Sequence, residues 1–395
     1  MVGEGRALGG LLVACIQSDG QPIDEAIVRR ARPVLRYVMA AADHHGIAMA
    51  VHLALTGADI PDDLRDQLSA SFQFWRNRNL IMTLELARVA KILDEAKCRW
   101  LAFKGPVLAE TIYPRNDLRS YADLDLLVDS QDFSTAVLAI EHNGGLGVET
   151  QWERVLHELK GELNFALPSQ VVLDLHWSLL YNATIRSQFR WSDRDALARR
   201  VDVSLVRRVD VPTLDPVDTF LHLALHACIA GGQKLCWMRD VSLAGATIVD
   251  FDEVVRRALA QGVGLPVGVM LAKTRRTLGV ARWDAELERR LCGPELWTSV
   301  MAELDRFRPP QNWLQGSLTG HIICASTRTT SRASLREFGT RARTELDVLR
   351  ADPGHPWRQR FPGLSSFVDR PPPAPRGGSL AFRNAYLTAV VNLAD

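Results

Sequence analysis

The stretch Tyr-Ala-Asp-Leu-Asp-Leu-Leu-Val-Asp, YADLDLLVD at residues 121–129, has the apolar content of a buried β-strand but carries two carboxylates one residue apart. Successive side chains of a strand point to opposite faces of the sheet. Asp123 and Asp125 therefore share one face, and Leu124 and Leu126 share the other. This pattern predicts a sheet with one apolar face and one face that carries acids.

A third carboxylate lies on a second predicted strand, VVLDLHW at residues 171–177. By the same alternation, Asp174 shares a face with Val172 and His176. If the two strands are neighbours, three carboxylates meet on one surface, where repulsion and desolvation would cost several kcal/mol without a cation. Carboxylate oxygens suit a hard ion, so the pattern predicts Mg²⁺ or Mn²⁺ rather than zinc.

A turn that could hold phosphate precedes the first of these strands. Lys104 and Gly105 end a short strand, CRWLAF at 98–103, and lead into a helix predicted at 106–113. Glycine allows an anion to approach the backbone closely, and the N-terminus of a helix carries a partial positive charge. A Gly turn, an acidic strand and a further Asp on a later strand together predict a metal and phosphate site.

The remaining patterns predict an α+β protein. Helical periodicity dominates before residue 98 and returns near residue 206, while a helix at 131–143 and a hairpin at 161–177 complete an α/β unit. The predicted domains are an N-terminal helical region that packs on the catalytic domain (1–97), an α/β core (98–205), an all-helical C-terminal domain (206–368), and a Pro-rich linker with a terminal helix (369–395).

Composition is that of an ordinary soluble protein. The 395 residues are 47% apolar and 24% charged, and the formal net charge of +1 gives no general reason for nucleic-acid or membrane binding. Six cysteines without a CxxC pair favour reduced thiols in the cytoplasm over a disulfide framework. The apolar run at 8–15 is similar to a short signal peptide, but Glu4 and its brevity favour a first buried helix. No stretch approaches the roughly 18 apolar residues of a membrane span.

The segments LAFKGPVLAETIYPRNDLRSYADLDLLV (101–128) and VVLDLHWSLL (171–180), with the later HLALHA and LCWMRDVSLA, resemble a bacterial family described as uncharacterised nucleotidyltransferases. That family lies within the DNA polymerase β-like nucleotidyltransferase superfamily, and the resemblance covers most of residues 8–250. It implies a minimal nucleotidyltransferase α/β domain with a mixed sheet. It also implies transfer of a nucleoside monophosphate (NMP) from a nucleoside triphosphate (NTP) to an acceptor, with release of pyrophosphate.

The resemblance also implies roles for individual residues. In the superfamily a Gly-Ser turn holds the nucleotide phosphates, an acidic strand binds two metal ions, and a third carboxylate completes the set. By position these are Gly105, Asp123 with Asp125, and Asp174. The resemblance thus implies two ions of Mg²⁺ or Mn²⁺ and an NTP as co-substrate.

The chain departs from the family pattern at the turn. Lys104-Gly105-Pro106 replaces Gly-Ser, which removes a hydroxyl and one backbone N–H from the phosphate cradle. The acidic strand begins 18 positions after the glycine, which is longer than the common superfamily spacing. Lys104 and Arg119, with Ser120 beside it, are the predicted substitutes, although Arg119 could equally be a solvated loop residue.

Four further residues are predicted to assist at the site. His176 could orient Asp174 or relay a proton, or it could be a hydrogen-bonded core histidine. Lys234, Arg239 and Asp240 could hold the base or the acceptor. The alternative for the last two is an Arg-Asp pair that only caps and stabilises a helix.

A histidine pair and an arginine-rich stretch are weaker indications of function. His222 and His226 have the spacing of a zinc pair, but HExxH is absent, so they are predicted to line a cleft or pack in the core. A basic stretch at 327–343 could touch RNA or an acidic peptide, but a solvated helix face is favoured because no interleaved aromatic run supports base stacking. Its arginines are Arg328, Arg332, Arg336, Arg341 and Arg343.

The pattern as a whole predicts an enzyme whose acceptor is a small molecule, a peptide or a protein in preference to RNA, with no membrane partner. Two alternatives stay open. One is a catalytically silent module that binds a nucleotide or a phosphorylated ligand, which the altered Gly turn motivates. The other is a peptide natural-product tailoring enzyme with a different phosphate-containing donor. The intact set of three aspartates favours an active nucleotidyltransferase.

Overall fold

The computed structural model describes residues 2–181, 183–205, 209–279, 282–293, 318–351 and 377–393. A mixed seven-stranded sheet lies among many helices, which confirms the α+β class. The strands are β1 (Trp100–Ala102), β2 (Asp123–Val128), β3 (Leu146–Gly147), β4 (Glu162–Ala166), β5 (Val172–His176), β6 (Val201–Leu205) and β7 (Val209–Thr213). Their order is β3-β4-β5-β2-β1-β7-β6, so the acidic strand β2 is central.

Strand β2 is central in the sheet, and other strands pair with both of its edges. It runs parallel to β5, with Asp125 opposite Asp174, and antiparallel to β1, with Leu127 opposite Leu101. Leu126 and Leu127 are both fully buried, as is typical of a strand with cover on both faces. The predicted strand and its position beside the strand of Asp174 are confirmed.

The helices fall before, within and after the sheet in sequence. Those before it are α1 (Val2–Gln17), α2 (Glu25–Ala31), α3 (Val38–His45), α4 (Ala48–Ala54) and α5 (Asp62–Glu95). Those between strands are α6 (Pro106–Thr111), α7 (Phe133–His142), α8 (Trp152–Glu158), α9 (Ala183–Arg186) and α10 (Asp193–Ala198). Those after it are α11 (Pro216–Ile229), α12 (Leu235–Thr247), α13 (Phe251–Ala260), α14 (Gly264–Leu278), α15 (Ala285–Cys292), α16 (Leu318–Ala325), α17 (Ser331–Ala351) and α18 (Gly377–Asn392).

The 34-residue helix α5 takes part in two hydrophobic cores. Its second half packs with the sheet through Met82, Leu86 and Val89. Its first half, through Leu64 and Leu68, belongs to a core that joins the earlier helices to helices α11 to α15. Helices from the two ends of the sequence therefore share one core beside the sheet.

The first and last described helices pack in these cores. The run at 8–15 lies in α1, where Cys15 is fully buried, so the prediction of a first buried helix is confirmed. In α18, Tyr386 is fully buried and accepts a hydrogen bond from Trp177 Nε1 at 2.9 Å. Residues 352–376, which include most of the predicted Pro-rich linker, lie outside the described residues. No described helix is both long and apolar enough to cross a membrane.

The prediction that the chain is helical from about residue 206 is wrong, because one more strand precedes the next helix. Residues 209–213 form β7, which pairs with β6 and lies parallel to β1. The alternating valines of VDVSL at 201–205 and of VDVPT carry the period of two that marks strands. Val211 is fully buried in the hydrophobic core against the sheet, and the hairpin covers the edge of β1 that β2 does not. Helices resume at Pro216.

Candidate functional site

A cavity of about 550 Å³ opens on the acidic face of the sheet. It is lined by residues of β2, β4 and β5 and of helices α5, α11 and α12. The predicted site residues that line it are Lys104, Gly105, Arg119, Ser120, Asp123, Asp125, Asp174, His176 and Lys234. Asp240 reaches the cavity only through its contact with Arg119, and Arg239 instead pairs with Asp19.

The three aspartates converge as the strand pattern predicts. Asp125 lies opposite Asp174 in the parallel β2-β5 pair, and Asp123 is on the same face of β2. Burial, together with repulsion by the neighbouring acids, raises the pKa of Asp123 to about 6 and the pKa of Asp174 to about 7. Such a cluster of acids is costly unless a cation compensates for it.

Asp125 differs because cationic side chains face it. Lys104 Nζ donates to Asp125 Oδ1 at 3.0 Å, and both side chains are largely buried. Burial would raise the pKa of Asp125, but Lys104 and His176 hold it below its usual value. Burial would likewise lower the pKa of Lys104, but the neighbouring carboxylates raise it. The lysine predicted to contact phosphate therefore neutralises an aspartate in this structure.

His176 joins the aspartates, and Glu162 lies behind it. Nε2 of His176 is 3.5 Å from Asp125 Oδ1, and Nδ1 is 3.4 Å from Glu162 Oε2. Burial would lower the pKa of His176, but these two carboxylates raise it. Asp125, Asp174 and His176 each offer one ligand atom within 4.8 Å of the others, a set that could hold a metal ion. The strand pattern predicts oxygen ligands only, and the imidazole nitrogen adds to them.

Strand β4 contributes two residues that sequence reasoning missed. Glu162 is opposite His176 in the antiparallel register, and Asn164 is opposite Asp174, to which its side-chain amide donates. Asn164 Oδ1 in turn accepts from Lys160 Nζ at 3.0 Å. The alternation of polar and apolar residues in ELNFA, on the predicted hairpin partner of the Asp174 strand, was a signal that could have found both.

Gly105 has a backbone conformation that glycine adopts far more readily than other residues. Its φ is 55° and its ψ is −124°, and a Cβ would lie 3.4 Å from the carbonyl oxygen of Asp123. The helix after it begins at Pro106, as predicted, but has only six residues. Pro106 lacks an N–H, and the N–H of Val107 donates to the Lys104 carbonyl at 3.2 Å. The turn therefore offers fewer free donors than the Gly-Ser turn it replaces.

Arg119 ties the loop before β2 to helix α12. Its Nε and Nη2 donate to the two carboxylate oxygens of Asp240 at 2.9 and 3.0 Å, and the Tyr113 hydroxyl donates to Asp240 Oδ1 at 2.6 Å. Burial would lower the pKa of Arg119, but Asp240 raises it. Ser120 Oγ donates to the Gly46 carbonyl at 3.2 Å. Both residues predicted to contact phosphate therefore have structural partners.

Lys234 is the cation of the cavity that keeps no acidic partner among the described residues. It lies immediately before α12, and its Nζ is 5.3 Å from the centre of the Trp237 ring. No carboxylate oxygen of the described chain is within 4.0 Å of its Nζ, unlike the case of Lys104. A lysine that faces a cavity without a counter-ion can bind an anionic group.

His222 and His226 of α11 line the cavity, as expected for a pair in a cleft. The ring of Phe103 contacts both His222 and His176, with ring centres 5.0 and 5.1 Å apart. Burial lowers the pKa of His222, and it lowers the pKa of His226 to about 3. Both rings are therefore neutral at pH 7, and they form part of the cavity wall.

The basic stretch at 327–343 makes ion pairs within the protein. Arg328 is buried and pairs with Glu337 at 2.7 Å, and Arg341 contacts the same carboxylate at 2.8 Å. The remaining arginines of the stretch are exposed on α17: Arg332, Arg336 and Arg343. The arrangement is that of a solvated helix face with internal pairs.

Comparison with known proteins adds one finding to this geometry. No curated protein matches the chain. The model of a family described as uncharacterised nucleotidyltransferases matches residues 35–279, which include the three aspartates, the turn at Gly105 and Lys234. The match spans more than half of the 395 residues. The chain therefore belongs to this uncharacterised nucleotidyltransferase family.

Proposed function

We propose that the protein transfers an NMP from an NTP to an acceptor and releases pyrophosphate. The observation that carries this proposal is the register of β2 and β5, which sets Asp125 opposite Asp174 with Asp123 on the same side of the cavity. Membership of the family supports nucleotidyl transfer in general. In this proposal residues 98–205, extended by β7, form the catalytic core, and the surrounding helices close the cavity.

The residues of the cavity fit a divalent cation. The aspartates repel one another, and ligand atoms of Asp125, Asp174 and His176 are close enough to share one ion. We infer two ions of the Mg²⁺ or Mn²⁺ type, which Asp123, Asp125 and Asp174 would hold. When bound, such ions polarise the phosphoryl group, lower the pKa of the acceptor hydroxyl and neutralise the departing pyrophosphate.

The side chains of the protein then orient the acceptor and move a proton. Asp174 is the proposed base for the proton of the attacking hydroxyl, because it faces the cavity opposite Asp125 and beside the proposed ions. Asn164 donates to Asp174 and fixes its orientation. The acceptor oxygen forms a bond to the α-phosphorus while the bond from that phosphorus to the bridging β-phosphate oxygen breaks.

Lys234 is the proposed phosphate ligand, because Lys104 and Arg119 are already paired with acids. Lys234→Ala should raise the KM for the NTP about tenfold or more, since a hydrogen bond to a charged group contributes about 1.5–3 kcal/mol. Steady-state release of pyrophosphate at varied NTP concentration measures this. Lys91→Ala, which removes an exposed lysine from α5, controls for the change in net charge. An unchanged KM for Lys234→Ala would exclude this contact.

The experiment that tests the function is thermal unfolding with ATP, GTP, CTP and UTP, each with and without Mg²⁺. An NTP at 100 times its dissociation constant should stabilise the folded protein by about 2.7 kcal/mol. We expect a Mg²⁺-dependent rise in Tm with at least one NTP, and we expect Asp123→Asn/Asp125→Asn to lose it. No rise with any nucleotide would contradict the proposal and favour a different phosphate-containing donor.

A catalytically silent nucleotide-binding module is the second candidate. Two observations favour it: Lys104 is already paired with Asp125, and the turn at Gly105 offers few free N–H donors. This alternative predicts that Mg²⁺ does not strengthen nucleotide binding. It also predicts that no mixture of candidate acceptors causes release of pyrophosphate. Detection of Mg²⁺-dependent pyrophosphate release would eliminate it.

The proposed acceptor is a small molecule, a peptide or a protein rather than RNA. The internal pairs of Arg328 and Arg341 support this choice, because they leave less of the basic stretch free for phosphate contacts. Pyrophosphate release stimulated by fractionated metabolites or peptides, but not by total RNA, is the expected result.

A further inference from the structure

His176 is a buried histidine whose two ring nitrogens each face a carboxylate oxygen at 3.4–3.5 Å, which is longer than a good hydrogen bond. It is 6% exposed, and within the described residues neither Nδ1 nor Nε2 has a hydrogen-bond partner. A buried polar atom without a partner costs free energy unless a bound ligand or water satisfies it. The position of this ring at the cavity, beside three aspartates, points to an ion as that ligand.

Nε2 faces the acids at a separation that suits a shared ion. It is 3.5 Å from Asp125 Oδ1, which is longer than a good hydrogen bond. Two ligand atoms that are each about 2.1 Å from one metal ion lie about 3.0–3.5 Å apart. Asp174 adds a third ligand atom within 4.8 Å of the other two. The three residues thus form a compact donor set of two carboxylates and one imidazole.

The other side of the ring is arranged as it is in many histidines that bind metal. Nδ1 faces Glu162 Oε2 at 3.4 Å. A histidine ligand usually directs its second ring N–H to a carboxylate or carbonyl, which sets the tautomer and the ring orientation. The edge-to-face contact with Phe103 restricts the same ring. Glu162 and Phe103 therefore position His176 with Nε2 toward the aspartates.

We propose that His176 is a direct ligand of the ion held by Asp125 and Asp174, and that this site binds Mn²⁺ in preference to Mg²⁺. Imidazole suits first-row transition ions, whereas Mg²⁺ takes oxygen ligands and keeps several waters. Lys104, which donates to Asp125 Oδ1, yields that oxygen to the ion. The inference rests on the proposed function only in placing an ion at these aspartates. Binding of the ion requires no nucleotide.

The test is binding of Mn²⁺ to the full chain, followed by electron spin-echo envelope modulation of the bound ion. The wild-type spectrum should show ¹⁴N coupling from an imidazole ligand. His176→Gln should lose this coupling and bind Mn²⁺ at least about 10-fold more weakly, because the loss of even an outer-shell partner of a metal ligand lowers the affinity by about 10–100-fold. Its affinity for Mg²⁺, measured by competition, should change by less than about threefold.

His222→Gln is the matched control, because His222 also lines the cavity and contacts Phe103. It should keep the ¹⁴N coupling. Absence of Mn²⁺ binding, a Mn²⁺-loaded wild type without ¹⁴N coupling, or equal weakening of both ions in His176→Gln would each overturn the proposal. The wild-type spectrum decides the question even if His176→Gln does not fold, which circular dichroism would show.

The outcome is separable from that of the proposed reaction. Nitrogen coupling without any effect of NTP on Tm would support the ion site and contradict nucleotidyl transfer. Mg²⁺-dependent transfer without nitrogen coupling would support the reaction and contradict the imidazole ligand. Each measurement can therefore contradict its own proposal without contradicting the other proposal.

Discussion

Asp123→Asn should reduce NMP transfer by about 1,000-fold or more while leaving the folded protein as stable as before. The loss follows because a proposed metal ligand disappears, and several kcal/mol of lost transition-state stabilisation is about a thousandfold in rate. The free energy of unfolding should not fall, because the substitution removes a charge that burial and the adjacent Asp125 already disfavour in the folded protein. Pyrophosphate release and Tm in the presence of EDTA are the two measurements.

Asp129→Asn is the control for this change. Asp129 follows the same strand, is also buried, and pairs with Arg99 at 3.0 Å away from the cavity. We expect this variant to keep its activity and to lose some stability, because Arg99 loses a charged partner. Turnover by Asp123→Asn at a rate near that of the wild type would refute the assignment of Asp123 as a ligand.

Asp240→Ala should lower the free energy of unfolding by about 3–5 kcal/mol, the usual cost of removing one partner of a buried ion pair. Asp240 is 2% exposed and accepts from both Arg119 and Tyr113, so its removal leaves a buried guanidinium without a counter-ion. The loop before β2 would also lose its tie to α12. Urea denaturation followed by circular dichroism measures the change.

Two further variants separate this effect from a general sensitivity to mutation. Arg154→Ala removes one partner of an exposed pair with Glu158, and it should cost less than about 1 kcal/mol. Arg119→Met/Asp240→Leu replaces both charges by apolar groups, and it should recover much of the loss in Asp240→Ala, because no buried charge is left unpaired. A loss below about 1 kcal/mol in Asp240→Ala would show that the pair contributes little.

Local elements of the fold were predictable because their signals are local. The strand at 123–128 and the hairpin that carries Asp174 follow from alternation within each segment. The helix start at Pro106 follows from the preference of proline for the first helical position. The positive φ of Gly105 is a finding of the structure that glycine accommodates readily. Strand β7 was missed although its alternation was present, because it contains Pro212, and a proline within a run argues against a strand.

The partners of the site residues were not predictable in the same way. Arg119 and Asp240 are 121 positions apart, and nothing in either segment shows that they meet. Lys104 and Asp125 are closer in sequence, yet only the pairing of β1 with β2 brings the lysine onto the carboxylate. An arginine or lysine in a loop has the same local pattern whether it binds phosphate or an aspartate.

The sequence by itself determined that Asp123 and Asp125 would share one face of a strand, because side chains alternate along a strand regardless of what surrounds it. That Asp174 joins them on the same face was decided by the pairing of β2 with β5. The sequence also determined the family, through segments that run from the N-terminal helices to α14. Only the tertiary structure decided which cations face those acids, that His176 joins them with Glu162 behind it, and that Lys234 stays without an acidic partner among the described residues. The physical reason is that charge and coordination depend on distances of a few ångströms between distant segments, and packing alone sets those distances.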